Sequence, residues 1–264
     1  LLNLVMEKQC QLVINWMRVG FIHGVMNTDN VALSGETIDY GPCAFMDHYD
    51  PLTVFSSIDH QGRYSFANQP IIAQWNLARL AETILPLISD NNEKALKLAE
   101  EAINAFADLY QSKWLDMMRR KIGLLTKKNE DKDLISELLD IMQKYKADFT
   151  NTFRFLSKDT LSGDDIFKTE EFLTWYKKWK LRLKKESNTF ENIKKIMDTN
   201  NPRVIPRNHL VEKALKSAEE GDLEKIVDFS KIIKNPYSSS IDVPKKYLNP
   251  PNDNEKVLQT FCGT

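Results

Sequence analysis

Apolar residues recur at helical intervals over the first nineteen positions, among them Leu1, Leu4, Val5, Leu12 and Ile14, and Gly20 closes the run. The pattern then changes. Between residues 20 and 70, short apolar runs of strand length alternate with turn-formers at Ser34-Gly35, Gly62, Asn68 and Pro70. Helical periodicity returns at Ile71. Leu96, Ile103, Phe106, Tyr110, Trp114 and Met117 step by three, four or seven, which predicts one long helix with a core-facing stripe. A helix over residues 131–145 carries acids in its first turn, where the macrodipole favours them. Another puts Phe172, Trp175, Trp179 and Leu183 on one face. Residues 208–233 predict two short helices hinged at Gly221-Asp222. The Pro-, Ser- and Asn-rich stretch from 235 predicts an irregular tail. The fold class is mainly α (α+β overall), divided as 1–88, 89–234 and 235–264.

Composition excludes several classes. Lys+Arg number 36 against 37 Asp+Glu, a net charge of −1, so charge offers no argument for nucleic acid or a membrane surface. No apolar run approaches the roughly 20 residues of a membrane span. Cys10, Cys43 and Cys262 form no CxxC pair and no even-numbered framework, which points to a reducing, cytoplasmic setting. The helical pattern already running at the first residue, with no initiator Met, reads as a piece of a larger protein. His48, His60 and His209 lack zinc spacing. "WYKKWKLRLKK" interleaves aromatic and basic residues, but its tryptophans stand at i and i+4. That spacing predicts a core face with a solvated basic back, not a nucleic-acid platform.

The chemistry concentrates in "HGVMNTDNVALSGETIDYGP", His23 to Pro42. If "VAL" and "TID" pair across a two-residue turn at Ser34-Gly35, Val31 faces Ile38, Leu33 faces Glu36 and Asn30 faces Asp39. Opposed residues share a side, with Cβ atoms roughly 4.5–5.5 Å apart. An amide oxygen and a carboxylate placed so suit Mg²⁺, which keeps waters and substrate phosphates in its shell. Asp29 would point elsewhere. Asn and Asp beside a hairpin are also ordinary turn-formers. The frame adds weight: protein kinases use H-R-D-x-x-x-x-N, a hairpin, then D-F-G, with that Asn and Asp holding Mg²⁺. His23 to Asn30 spans the same interval, and Asp39-Tyr40-Gly41 follows one hairpin later. A kinase's catalytic Asp is replaced by Val25, and a carboxylate stands instead at Asp29. His23 is expected to brace this loop by hydrogen bonding. Residues 56–70 take the place of an activation segment, where Arg63 and Tyr64 either meet substrate or hold the turns together.

The runs "GFIHGVMNTDNVALSGETIDYGPCAFMDHYDP", "GRYSFANQP" and "WNLARLAE", with "NPRVIPRNHLVEKAL" farther on, closely resemble the selenoprotein O family over essentially the whole chain. The resemblance implies the C-terminal lobe of a protein-kinase-like fold, with a short catalytic-loop β-hairpin and a large helical extension. It implies a protein adenylyltransferase that moves AMP from ATP, bound in an inverted orientation, to Ser, Thr or Tyr hydroxyls of proteins, with Mg²⁺ or Mn²⁺. By the same resemblance Asp29 is the proton acceptor and Asn30 and Asp39 are metal ligands, with Asp39 near the ATP phosphates through the metal. The phosphate-gripping arginines belong to a preceding half, so the isolated piece is expected to be nearly inactive. Cys262 falls where eukaryotic relatives, which would be mitochondrial, carry selenocysteine, implying a redox partner. Two alternatives stay open: kinase-type phosphoryl transfer, which Val25 disfavours, and an inert pseudokinase acting as a binding module.

Overall fold

The computed structural model describes residues 1–158, 165–240 and 242–261. Helix α1 (Leu2–Val19) buries a stripe through Val5, Met6, Cys10, Val13, Ile14 and Met17. That stripe is rotated from the simplest sequence reading, since Leu1 and Leu4 are exposed. Strand β1 (Phe21–Ile22) pairs antiparallel with β2 (Ala44–Phe45), Phe21 opposite Phe45 and Ile22 opposite Ala44. This sheet clamps both ends of residues 23–43, the segment that carries the candidate chemistry.

Helices α2 (Gln69–Thr83) and α3 (Leu85–Ile88) lead into the thirty-residue α4 (Asn92–Lys121), whose first turn is capped by the Asn91 side chain on the Lys94 N–H at 2.9 Å. Helix α4 packs along α1, α2 and α3. Phe106 and Met117 occupy the predicted stripe, but Leu96 is exposed. At that end small Ala95 and Ala99 are buried, Ala99 in the cluster shared with α3, and Leu96, about 100° round from Ala95, turns out to solvent. Helix α5 (Asp131–Lys144) is followed by α6 (Phe149–Leu156) and α7 (Glu170–Leu183). Trp175 and Trp179 are fully buried and stacked 5.7 Å apart, and their indole N–H groups donate to the Leu134 and Ile122 carbonyls at 2.8 Å each. Lys177 and Lys178 face solvent as the spacing predicts, but Arg182 of the same stretch is buried, paired with Asp131 at 2.7 Å and Glu186 at 2.6 Å. Helix α8 (Phe190–Asn200) precedes α9 (Asn208–Glu219) and α10 (Glu224–Ile233), which meet at Gly221-Asp222 and form a smaller cluster with Phe229 stacked on Tyr247.

The molecule is thus mainly helical, and no described helix is long and apolar enough to cross a membrane. Two long-range ties secure the region after β2. The backbone at Asp47–Tyr49 pairs with 147–149, through Phe149 N–H to Asp47 O at 2.7 Å and Tyr49 N–H to Ala147 O at 2.9 Å. Near the C-terminus, Thr260 lies parallel to Ser56, donating to Phe55 O at 2.7 Å and accepting from Ser57 N–H at 2.9 Å.

Candidate active site

Asp29 and Asn30 sit in a single 3₁₀ turn, Thr28–Asn30. The turn is held from three sides. The Asn30 amide donates to Val25 O at 3.2 Å, Asn76 of α2 donates to Met26 O at 3.0 Å, and the Tyr64 hydroxyl donates to Asn27 Oδ1 at 2.6 Å. Asp29 is exposed and Asn30 half-buried. With its NH₂ group donating to Val25 O, Asn30 has its amide oxygen left as the acceptor, the kind of donor atom a hard cation takes.

The segment joining Asn30 to Asp39 differs from the expected hairpin. Only Val31 and Thr37 form a bridge, and the turn between them closes through Gly35 N–H to Ala32 O at 3.0 Å. The expected register, with Val31 opposite Ile38, is therefore shifted by one, and a shift by one exchanges the faces of a strand. The cause lies in packing on α1. Gly35 has φ +76° and a Cβ there would stand 2.8 Å from Lys8 Cβ. Gln9 donates to Ala32 O and Trp16 Nε1 to Thr37 Oγ1 at 2.9 Å. The turn docks where α1 admits it, one residue from where Ser34-Gly35 alone predicted. Asn30 and Asp39 are thus not ladder partners, and Asp29, Asn30 and Asp39 make no hydrogen bond to one another among the described residues.

Histidine carries the connection instead. His23 is buried; its Nδ1 accepts from Val25 N–H at 3.4 Å, so the tautomer that satisfies both contacts puts the proton on Nε2, which donates to Ile38 O at 2.8 Å. The backbone N–H of His23 donates to Gln69 Oε1 at 2.9 Å, and Gln69 donates back to Phe21 O at 2.9 Å. Burial lowers the His23 pKa from its ordinary 6.5, against the opposing pull of the Ile38 carbonyl and the Asp39 charge. A neutral imidazole thus ties the segment after β1 to the residue before Asp39, as a brace should. Gly24 allows the two segments to touch: its φ is +87°, and a Cβ would lie 2.8 Å from Pro42 O.

Asp39 itself adopts φ +54°, a left-handed conformation rare outside glycine. Its side chain is exposed, with Oδ1 accepting from Gly41 N–H at 3.4 Å. Next to it, burial and the Asp39 charge push the Cys43 thiol up to about 11. One amide oxygen and one carboxylate are donors of the hard type Mg²⁺ takes, and a cation held by them would draw its other ligands from water and phosphate oxygens. No group of three or more His, Cys, Asp or Glu side chains among the described residues converges on a metal position, so a site here rests on that sparse donor set. A largely apolar cavity of about 790 Å³ opens beside Tyr40 and Cys43, walled by Trp16, Val19, Phe45 and Val211, with Phe261 of the tail at its margin.

Arg63 and Tyr64 fall on the structural side of the earlier choice in one case only. Tyr64 is buried against Asn27, while Arg63 is exposed and lies over the Trp75 ring, 4.8 Å from its centroid. Residues that composition and spacing did not single out also hold the site. Arg207, from "NPRVIPRNHL", is buried and ion-paired to Asp47 and to both oxygens of Asp148, at 2.8 and 3.2 Å for the latter. The next residue, Asn208, accepts from Phe45 N–H at 3.4 Å. Two Arg residues in a Pro-punctuated joint were the available signal. Cys262, the expected redox residue, lies outside the described residues.

Comparison with known proteins agrees with the motifs. The family model described as "Protein adenylyltransferase SelO" matches residues 1–234. A relative named "Protein nucleotidyltransferase YdiU" from Pelagibacter ubique is 53% identical over 264 residues, 100% of this chain and 54% of the relative. Its namesake from Clostridium perfringens strain SM101 is 52% identical over 260 residues, 98% of this chain and 53% of that protein. The one from Nitrosococcus oceani is 52% identical over 265 residues, covering 54% of its length. The chain spans about half the length of the curated relatives it matches.

Proposed function

The chain belongs to the SelO family, and from that premise we propose that the protein carrying these residues is an adenylyltransferase that moves AMP from ATP to Ser, Thr or Tyr hydroxyls of proteins. In this reading the chain is the C-terminal lobe of a kinase-like fold, and the nucleotide is gripped mainly by a preceding half. One observation carries the assignment of roles. Three hydrogen-bonded supports hold the Asp29–Asn30 turn, and the His23 brace ends at the residue before Asp39. Asn30 and Asp39 offer the oxygen donors that would hold Mg²⁺ or Mn²⁺, and through that cation Asp39 would act on the ATP phosphates. The cation would neutralise charge around the α- and β-phosphates. Asp29, exposed at the same turn, accepts the proton of the attacking hydroxyl. The hydroxyl oxygen bonds to the α-phosphorus as the bond to pyrophosphate breaks, and pyrophosphate leaves. Positioning and electrostatics supply most of the rate in such transfers.

Kinase-type transfer of the γ-phosphoryl is disfavoured by Val25, which is buried and apolar where a kinase keeps its base. The test uses the longer protein with Mg²⁺ and α-labelled ATP, comparing wild type with Asp29→Asn and Asp39→Asn. The expected result is covalent label on protein, lost in both variants, with nucleotide still bound by Asp29→Asn. Normal transfer by Asp39→Asn overturns the metal role. Label carried only from the γ-position restores phosphoryl transfer, and no label at all with nucleotide bound leaves an inert binding module.

A further inference from the structure

Two arginines share one indole on the face of the catalytic-loop turn that the transfer chemistry does not use. Arg63 lies 4.8 Å and Arg79 5.3 Å from the centroid of the Trp75 ring. Trp75 and Arg79 stand at i and i+4 on α2, so they rise from one face of the helix, while Arg63 comes from the turn-rich segment before it. Trp75 is 39% exposed. A guanidinium over an aromatic face keeps its in-plane N–H groups, which can receive a carboxylate on two hydrogen bonds.

The local acids leave this cationic surface underused. Asp59 spends its carboxylate on the backbone N–H groups of Arg63 and Tyr64, at 2.9 and 2.7 Å. Arg63 has no carboxylate within ion-pair range among the described residues. Arg79 pairs with Glu82 at 2.6 Å, but both ends are exposed, at 44% and 56%. An exposed pair three residues apart is weakly held and exchanges readily for a better-placed anion.

The surface is also coupled to the reaction turn. Tyr64, next to Arg63, hydrogen-bonds Asn27, and Asn76, next to Trp75, hydrogen-bonds Met26. A cleft of about 270 Å³ is lined by Arg79, by Thr28, the residue before Asp29, and by apolar Val31, Leu33, Leu77 and Leu80. Leu33 is more than half exposed. A cleft with apolar walls that also takes in a cationic side chain and the residue next to the candidate base fits a polypeptide segment.

We infer that Arg63, Trp75 and Arg79 form the docking surface for the acceptor protein, and that it selects segments bearing Asp or Glu close to the modified hydroxyl. The inference rests on the transfer reading above and adds a substrate class to it. Asp29 removes the proton; Arg63 and Arg79 seat the chain by its acidic residues, and the cleft takes an apolar neighbour.

The experiment uses the longer protein and three synthetic peptides identical except that the residues flanking a single acceptor hydroxyl are Glu, Gln or Lys. Binding is followed by fluorescence anisotropy and transfer by α-labelled ATP. One charge-assisted contact corresponds to about tenfold, so the Glu peptide should exceed the Gln peptide by at least that in kcat/KM, through KM. Arg63→Gln with Arg79→Gln should erase the preference at unchanged kcat. Arg63→Glu with Arg79→Glu should turn it towards the Lys peptide, which lost packing alone cannot do. Lysine at both positions should keep the Glu preference in part, a check that the fold survives. Transfer without a charge preference overturns the docking surface and leaves the activity standing. A Glu preference in binding with no transfer upholds the surface and overturns the activity. Competition by single-stranded RNA as effective as unlabelled Glu peptide also overturns the assignment, because the site would then take polyanions at large.

Discussion

Replacing Arg207 by Met tests whether the ion-pair cluster behind the site is a structural keystone. The guanidinium is 1% exposed; it pairs with Asp47, makes two bonds to Asp148 and donates to Leu248 O at 3.1 Å. Burial opposes its charge, but the two aspartates outweigh burial and hold the Arg207 pKa up. Without it, among the described residues, Asp148 stays buried with the Asn151 N–H at 2.7 Å on its Oδ1, and Asp47 loses its side-chain partner. Removing one member of such a cluster costs about 3–5 kcal/mol, because the charges left behind are desolvated and unpaired. Met roughly preserves the aliphatic volume, so little of that figure is cavity. The assay is urea unfolding followed by the fluorescence of buried Trp175 and Trp179. The sign of the pH dependence is a sharper check. Burial already raises the Asp47 pKa above 3.8 in the intact cluster, with Arg207 opposing the rise. In Arg207→Met the rise is larger, so the folded state binds protons that the unfolded state does not. The deficit should therefore shrink as pH falls from 7 towards 5. Adding Asp148→Asn should recover part of the loss at pH 7. A cost below about 1 kcal/mol, or a deficit that does not move with pH, would refute the reasoning.

Three further outcomes are expected. Gly24→Ala forces a side chain into φ +87° and to 2.8 Å from Pro42 O, which should cost about 2 kcal/mol or more in the same unfolding assay. His23 and His209 both have pKa values lowered from 6.5, chiefly by burial; the unfolded state then binds more protons, so stability should be full above pH 6.5 and fall as pH drops below it, less steeply in His23→Gln. Burial pushes the Cys10 and Cys43 thiols from 9.0 to about 11, so each should alkylate about a hundredfold more slowly at pH 7.5 than an ordinary thiol, read by mass spectrometry with iodoacetamide. Rates equal to a free thiol would place both outside the environment described.

Elements whose apolar period is set by one packing partner were legible in the sequence. The Trp175–Trp179 face of α7 and the break at Gly221-Asp222 are examples, since neighbouring residues alone decide them. Leu96 and Leu4 were misassigned because apolar character says that a residue can be buried, not which side the partner lies on. The turn at Ser34-Gly35 shows the same limit on a finer scale: local turn chemistry identified a reversal, while contact with Lys8, Gln9 and Trp16 chose its register. His23 as a brace was readable from its motif spacing. Gln69, Asn76, Tyr64 and Arg207 were not, because each acts across 37 to 160 residues of sequence, where periodicity carries no information.

The contact between Thr260 and the turns at Pro42 and Phe55–Ser57 bears on timing. Thr260 and Pro42 are 218 residues apart, and ribosomes add roughly 5–20 residues per second. On the order of ten to forty seconds therefore separates synthesis of the Asp39 segment from arrival of the strand that fastens it. During that interval the nascent chain holds the Asp39 segment without the Thr260 contact at Pro42.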